Sequence, residues 1–508
     1  TQLPHDRSSK GAQGSSARAD RSTRNAVLRA FASPQRTRLL PVSCAPVKAD
    51  ELFSRPLRSL DEPADLSASQ LLVLSFLGLV TVGWLGFLFL PGLYEGEPLG
   101  WVDALFISAS AVCVTGLTTI DVPNVLSFWG ELWLLALIQA GALGILTFAA
   151  LVVAAVGRRS GLDVQEATSD FSAILPTGSA RQMLWTIIGF TLTVEAIGAA
   201  ALFAQWYGDF GPARGAWLSV FHAVSAFGNA GFSLFSDNLM GQQSRPLALL
   251  TIGALIVAGG LGFPVIQDLR MRARDKRRRL TTHTRLAVGA TLVLVLGGAG
   301  FFLFFEWNRE LATMGFVDRV ANALFMSITP RTAGFNTVDY DGITNASLFL
   351  TFVLMWIGGA PASTAGGAKV TTATLLALVL WARLKGDATV SIAGRTIPAE
   401  TVNRATGLAV GMVLILMAFL TLLVAFEPAL DPAAERTQLV RLAFEVQSAL
   451  STVGLSMNLT PALADGSKLT LVVVMLLGRV GPLAVLGAMA LRSHRTVWRY
   501  AHEDILIG

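Results

Sequence analysis

Four short stretches of this 508-residue chain repeat one arrangement of residue types: Ala111–Asp121 (AVCVTGLTTID), Ala226–Asn238 (AFGNAGFSLFSDN), Thr329–Tyr340 (TPRTAGFNTVDY) and Ala449–Pro461 (ALSTVGLSMNLTP). Each runs through small or hydroxyl-bearing residues to a glycine (Gly116, Gly231, Gly334, Gly454) and then to a hydrophobic residue. What such a stretch offers chemically is its backbone. Glycine takes φ values closed to other residues, so a turn can aim successive carbonyls to one side, where they replace the hydration shell of a cation. One glycine turn alone is better explained as a close helix contact. Four in matching places point to a single axis lined by Val114, Thr115 and Gly116, by Asn229, Ala230 and Gly231, by Thr332, Ala333 and Gly334, and by Thr452, Val453 and Gly454. We expect these residues to form an ion-selective filter.

The elements that must position such a filter are also legible. Segments such as Trp101–Val112 and Asp318–Thr329 precede the glycine turns. A helix of about 12 residues is about 18 Å long, enough to enter a hydrocarbon layer of roughly 30 Å but not to cross it. Dipping in from outside, it aims its partially negative C-terminal end at the membrane centre, which favours a cation there. The chain must then return as non-helical backbone, which is tolerated at that depth only beside a water-filled path. Long apolar runs flank each unit, near 70–91, 128–156, 182–206, 246–268, 284–306, 346–380, 403–427 and 468–490. The expected fold is an all-α membrane protein of four helix–pore-loop–helix repeats. Eight spanning helices and four half-length pore helices would surround one pseudo-four-fold pore. The 346–380 run is too long for one crossing, and Gly358–Val370 (GGAPASTAGGAKV) should break it.

Composition agrees. The chain is 53% hydrophobic and 14% charged, with mean hydropathy +0.58, whereas soluble domains carry about 25% charged residues. Cys44 and Cys113 stand far apart and the five histidines are scattered, so neither a disulfide nor a metal cluster is expected. Residues 1–66, rich in Ser, Ala, Pro and Arg, read as a disordered basic cytoplasmic tail. The repeats follow at 67–160, 161–280, 281–395 and 396–508. Basic residues collect in alternate loops: Arg158 and Arg159; Arg270, Arg272, Arg274 and Lys276 to Arg279; Arg383, Lys385 and Arg395; Arg492, Arg495 and Arg499. By the positive-inside rule these loops and both termini face the cytoplasm of a plasma-membrane protein. The 270–279 cluster is thereby a topology determinant rather than a nucleic-acid site.

With these residues in view, the chain resembles the Trk/Ktr/HKT potassium transporter superfamily, and within it the membrane subunit of bacterial Ktr transporters. The resemblance rests on Val114–Leu117, Asn229–Leu234, Thr329–Thr337, Ser451–Pro461, Gly358–Thr372 and Gly478–Leu483, and it covers about residues 67–495. It implies gated potassium uptake with glycine at all four filter positions. Gly116, where some sodium-favouring relatives carry serine, implies potassium preference. Gly228 departs from the asparagine found there in many relatives, a change expected to loosen one filter wall while leaving Gly231 in place. The resemblance also makes Gly358, Gly359, Ala360, Ser363, Thr364, Gly366, Gly367 and Lys369 an intramembrane gating loop beneath the filter, with Arg479 standing in the pore below. An arginine at helix centre costs about 2.5–3.5 kcal/mol or more, so an interior, functional place is its default. A structural salt bridge is the alternative, and Lys369 could instead snorkel to the inner surface. Glu195 is expected to be a buried hydrogen-bonded acid, and Asp121 and Asp237 to concentrate cations at the mouth.

A homodimer and a cytosolic nucleotide-binding regulatory ring are the implied partners, with membrane lipid around them. The chain itself has no GxGxxG fingerprint and no Walker A motif. Potassium is then the substrate, sodium is left open as an activating or coupled ion, and no covalent cofactor is expected. Two other classes were weighed. A membrane enzyme acting on lipid needs clustered Asp, His or Cys at a helix end, which the sequence lacks. A coupled transporter with broken helices fits the 358–370 loop but not a four-fold parallel repeat.

Overall fold

The computed structural model describes residues 68–159, 180–387, 389–392, 395–427 and 432–481. The tail at 1–66 with Cys44, the segment 160–179, the end of the last expected span, and Arg492, Arg495 and Arg499 lie outside the described residues.

The described residues are helical nearly throughout, and their elements follow the repeated order. The first repeat comprises α1 (Ala68–Phe89), the short α2 (Trp101–Val112) and α3 (Phe128–Arg159). The second comprises α4 (Ala180–Gly228) and α5 (Pro246–Arg274). The third holds α6 (Thr282–Glu306), the short α7 (Phe316–Ile328), α8 (Asn345–Trp356) and α9 (Val370–Leu384). After a two-residue antiparallel ribbon, β1 (Ser391–Ile392) with β2 (Arg395–Thr396), come α10 (Ala399–Phe426), α11 (Pro432–Leu450) and α12 (Asp465–Val480).

Two helices differ from their expected form. The third span and the second pore helix are joined without a loop in α4, where Gly211 (φ 73°, ψ 176°) reverses the chain and Pro212 starts the next helix. Proline suits that first position because its missing N–H has no helical partner there. α5 is broken at Gly262 (φ 77°, ψ 158°), a kink the apolar run of 246–268 did not announce. In the third repeat the break is as wide as expected, with residues 357–369 irregular between α8 and α9.

Among the described residues five helices are long and apolar enough to cross a membrane, fewer than the eight expected. Three expected spans are not among the five. The second span of repeat three is divided into α8 and α9, while those at 128–156 and 468–490 run beyond the residues that are fully described, α3 counting only as the shorter apolar helix Phe128–Gly144. The outward surface is itself apolar, as exposed Leu74, Val82, Phe304 and Leu414 illustrate. A helix apolar all round is at home in lipid or in a core.

Small residues let the short helices reach the centre. In α2 every residue from Phe106 to Val112 is buried, and Ser108 Oγ donates to Val80 O on α1 at 2.8 Å. The second span of three repeats meets the end of its own pore helix through a glycine: Gly141 against Val112 O, Gly259 against Phe227 O, and Gly478 against Leu450 O. Gly358 follows Gly334 at the same interval as Gly478 follows Gly454, and there the helix stops instead.

Polar contacts join neighbouring repeats. Lys468 Nζ pairs with Asp103 at 2.9 Å, linking the fourth repeat to the first. The Arg441 guanidinium grips the Asp341 carboxylate, with Nε–Oδ1 at 3.0 Å, linking the fourth to the third. Leu239 N donates to Asn336 O at 3.0 Å between the second and third, and Asn124 Nδ2 reaches Ser236 Oγ at 3.2 Å between the first and second. Thermal melts in detergent of Asp103→Asn, Lys468→Met and the double variant should show coupling of about 1 kcal/mol, because each single change leaves a partly or largely buried charge without its partner. Additive losses would mean that the pair does not join the repeats.

Candidate functional site

The four glycine turns close into a ring. A β-carbon added to any of the four glycines would lie within 3.0 Å of the carbonyl oxygen just before the next repeat's glycine. Gly116 sits against Ala230 O, Gly231 against Ala333 O (2.8 Å), Gly334 against Val453 O (2.5 Å), and Gly454 against Thr115 O. The contacts therefore run from the first repeat through the second, third and fourth and back to the first. The circuit brings together eight of the twelve residues expected to line one axis, the four glycines and the residues just before them, and Val114, Asn229, Thr332 and Thr452 precede these directly in the chain.

Local conformation explains why these residue types are needed. Gly116, Gly231, Gly334 and Gly454 have φ of 97°, 71°, 79° and 93°, and two positions earlier Val114, Asn229, Thr332 and Thr452 have φ of 55°, 60°, 76° and 48°. The residue between each such pair is absent from the left-handed region. Alternation of this kind turns successive carbonyls toward one side, where an ordinary strand would alternate them. Left-handed φ is costly for β-branched residues such as Val114, Thr332 and Thr452, at about 1–3 kcal/mol each, and persists only where surroundings impose it.

The pore helices impose it through their last turns. Thr115 N, Ala230 N and Val453 N donate to Ser110 O, Ser225 O and Ser448 O at 2.8, 2.7 and 2.8 Å, and Ala333 N donates to Thr329 O at 3.0 Å. Hydroxyls finish the turns in two ways. In the first and fourth repeats Gly116 N and Gly454 N donate to Ser110 Oγ and Ser448 Oγ at 3.1 and 3.0 Å. In the second and third, Ser225 Oγ and Thr329 Oγ1 donate instead to the carbonyls of Phe232 and Phe335. The buried hydroxyls of Thr115, Thr332 and Thr452 have no partner among the described residues. The ring thus sits at the C-terminal ends of α2, the second half of α4, α7 and α11, where helix dipoles place partial negative charge.

On the pore-helix side of the ring lies the irregular segment 357–369. Thr364 Oγ1 donates to Phe227 O in the second repeat at 3.1 Å. At Gly366 an added β-carbon would strike Thr452 Oγ1 in the fourth repeat, and Gly367 (φ 62°) lies beside Ser451. Since the second and fourth repeats are opposite in the circuit, the segment passes across the ring's axis. Gly358 N donates to Ala368 O at 2.8 Å and Val370 N to Gly359 O at 2.9 Å, closing the segment at its neck. Ser363 Oγ donates to Ala360 O at 2.6 Å and accepts from Ala365 N at 3.3 Å.

Three cations hold this segment. Arg479, buried in α12, donates through Nη1 to Thr364 O and through Nη2 to Gly141 O at 3.5 Å. Its partners among the described residues are carbonyls, so the salt-bridge alternative finds no support there. Lys369 Nζ, half-buried, donates to Ala365 O at 2.6 Å rather than reaching for a surface. Arg331, buried between the third pore helix and its glycine turn, donates to Thr291 Oγ1 at 3.3 Å and Gly358 O at 3.4 Å.

Arg331 was missed in the sequence, although a cation three places before the turn glycine Gly334 was a visible signal. The second omission is in α5. Pro264 has no N–H to give Gly260 O, the partner it would serve in an unbroken helix. That carbonyl accepts from Ala360 N at 2.8 Å instead, and Gly259 O from Thr364 N at 3.3 Å. The run Gly259–Pro264 (GGLGFP) carried this signal.

Other candidates stand apart. Glu195 accepts from Gln139 Nε2 at 3.1 Å and shares no hydrogen bond with ring or loop. Asp121 and Asp237 are exposed beyond the first two turns. Outside the third turn, burial pushes the Glu310 carboxyl up, and the Asp339 and Glu306 carboxylates add to the shift. No group of three or more His, Cys, Asp or Glu able to hold a metal occurs among the described residues.

The sequence profile of the family described as "TrkH: Cation transport protein" matches residues 87–499. The chain is 36% identical to the potassium/sodium uptake protein NtpJ of Enterococcus hirae over 87% of this chain and 98% of that one. It is 34% identical to the Ktr system potassium uptake protein B of Bacillus subtilis, over 86% and 96% of the two chains. In structure it is similar to the potassium transporter TrkH of Vibrio parahaemolyticus, with TM-score 0.66 and 21% identity over 87% of each chain.

The ring geometry makes a graded prediction. Gly454→Ala should lower the melting temperature more than Gly231→Ala, because the alanine methyl meets Thr115 O more closely than it would meet Ala333 O. Both substitutions carry a positive-φ penalty of about 1 kcal/mol or more. Equal melting losses would refute the closed circuit.

Proposed function

The chain belongs to the TrkH family of cation transport proteins, a family of transporters and not of enzymes, and on that premise we propose that it carries potassium into the cell through the four-glycine ring. One observation supports this above the others: each glycine is packed against the carbonyl before the next, all the way round. A potassium ion would lose its water to carbonyls of Val114 to Gly116, Asn229 to Gly231, Thr332 to Gly334 and Thr452 to Gly454. Four helix ends add their negative poles at no reorganisation cost. The names of the Enterococcus and Bacillus relatives support potassium as substrate, and the former leaves room for sodium as an activating or coupled ion.

In this reading the 357–369 segment is the gate. It crosses the path under the ring, and Arg479 both pins it and sets a positive charge against a resident cation. Opening must release Thr364 from Phe227 O and draw Gly366 away from Thr452. Glycine and alanine make such a rearrangement inexpensive. By the positive-inside rule the basic loops support a plasma-membrane protein with both termini in the cytoplasm. A homodimer regulated by a cytosolic nucleotide-binding ring completes the proposal; the Bacillus relative's designation as one protein of a Ktr system supports a partner subunit.

Rubidium uptake into cells stripped of their own potassium uptake systems, with the partner subunit supplied, tests the filter. Wild type should restore uptake, and Gly116→Ser should admit sodium more readily or demand more external potassium. Unaltered selectivity in Gly116→Ser would remove that residue from the filter. For the gate, Thr364→Val deletes one hydrogen bond worth about 1 kcal/mol, so resting rubidium flux should rise about fivefold. No change in flux would mean that the Thr364 contact does not hold the closed state.

A further inference from the structure

Beside the break in α5 lies a cavity of about 230 Å3, set between the N-terminal half of α4 and the part of α5 beyond Gly262. Gly189, Phe190, Phe263 and Ile266 line its body, and Gln267 and Arg270 lie toward the end of α5. The volume is below the roughly 300–1,000 Å3 of a pocket that encloses a whole small ligand. It suits the end of a longer molecule.

Its chemistry is divided. Phe263 is buried and Phe190 half-buried, with ring centroids 6.1 Å apart. A β-carbon on Gly189 would meet nothing within 4 Å, so the cleft opens sideways at that residue. Exposed Trp185 and Leu192 flank the opening on α4. At the other end, neither Gln267 nor exposed Arg270 has a hydrogen-bond or ion-pair partner among the described residues. Their neighbours are engaged: Arg272 Nη1 donates to Arg278 O at 2.8 Å, and Arg278 pairs with Asp268 at 3.7 Å. A laterally open apolar slot that ends at an unpaired guanidinium and an amide calls for a ligand with a hydrocarbon chain and an anionic head.

We propose that this cleft is a binding site for an anionic phospholipid, its acyl chain lying against the contacting rings of Phe190 and Phe263 and its phosphate on Arg270 and Gln267. The site backs onto the gate. Phe190 also packs at 6.2 Å on Phe227, whose carbonyl holds Thr364. An added β-carbon at Gly262, the residue before Phe263, would lie 2.6 Å from Ala362 O in the crossing segment. The bound lipid therefore buttresses the α5 break whose freed carbonyls hold Ala360 and Thr364. This inference rests on the membrane reading above but not on which ion is carried.

The test uses the full chain purified in detergent with mixed phosphatidylglycerol and phosphatidylcholine, with retained lipid counted by native mass spectrometry. Wild type should keep phosphatidylglycerol in preference to phosphatidylcholine. Arg270→Gln, a surface change, should cut that retention about fivefold, the effect of one cation's attraction to an anionic headgroup. Arg270→Lys should keep most of it, and Gly189→Trp should exclude lipid by filling the opening. Equal retention in wild type, Arg270→Gln and Gly189→Trp overturns the site. So does displacement of the lipid by millimolar inorganic phosphate alone, which would make this a free-anion site. Rubidium flux into vesicles of either lipid reads the buttress separately: wild type should depend on phosphatidylglycerol, and Gly189→Trp should not. Loss of flux in both lipids with retention intact would count against the transport reading and leave the lipid site standing.

Discussion

The closest constraint in this molecule is the approach of one backbone to the next around the ring. Four glycines sit where any side chain would collide with a neighbouring carbonyl, and the rest of the fold is arranged so that four backbones can come this near. Pore helices end in alanine and serine, which take little room, and their hydroxyls satisfy the backbone groups that the turns leave behind. The spans behind them carry their own glycines, so that Gly141, Gly259 and Gly478 can press on the pore-helix ends. In a lipid environment unpaired backbone is costly at every point, and the hydroxyls and pore-helix carbonyls around the turns supply partners for the turn N–H groups.

The third repeat departs from its siblings at the place where they are most alike. Where the others continue as helix past a glycine, its second span stops at Trp356 and resumes at Val370. The intervening backbone needs donors and acceptors, and it finds them in groups that other breaks have freed. Pro264 gives up the carbonyl of Gly260, Gly262 turns the chain, and Arg479, Arg331 and Lys369 cover carbonyls of the segment itself. Two helix breaks thus satisfy one another. A segment held by several single hydrogen bonds, each modest in net worth, can exchange them for water one by one.

Outside the ring, the contacts between repeats are polar and partly exposed: Lys468 with Asp103, Arg441 with Asp341, Asn124 with Ser236. They keep the mouth in register without demanding the close packing of the centre. Asp121, Asp237, Asp339 and Glu310 add carboxyl groups beyond the turns. Acidic groups at a mouth raise local cation concentration by field alone.

The sequence by itself determined the repeat, the membrane character and the residues of the ring. Those depend on local facts: the length of apolar runs, small residues before a glycine, and a glycine where φ must be positive. The break at 357–369 was equally legible, because its glycines, alanines and proline have no use in a straight span. What only the tertiary structure decided was which groups meet. That Thr364 reaches the second repeat and Gly366 the fourth, that Arg331 shares the segment with Arg479, and that Gly260 O is taken by Ala360 are contacts between residues far apart in the chain. The kink at Gly262, signalled by the run Gly259–Pro264, was covered by hydropathy for a related reason. In an apolar run Gly and Pro cost little to hydropathy, and their effect appears only when another backbone arrives to accept the groups they release.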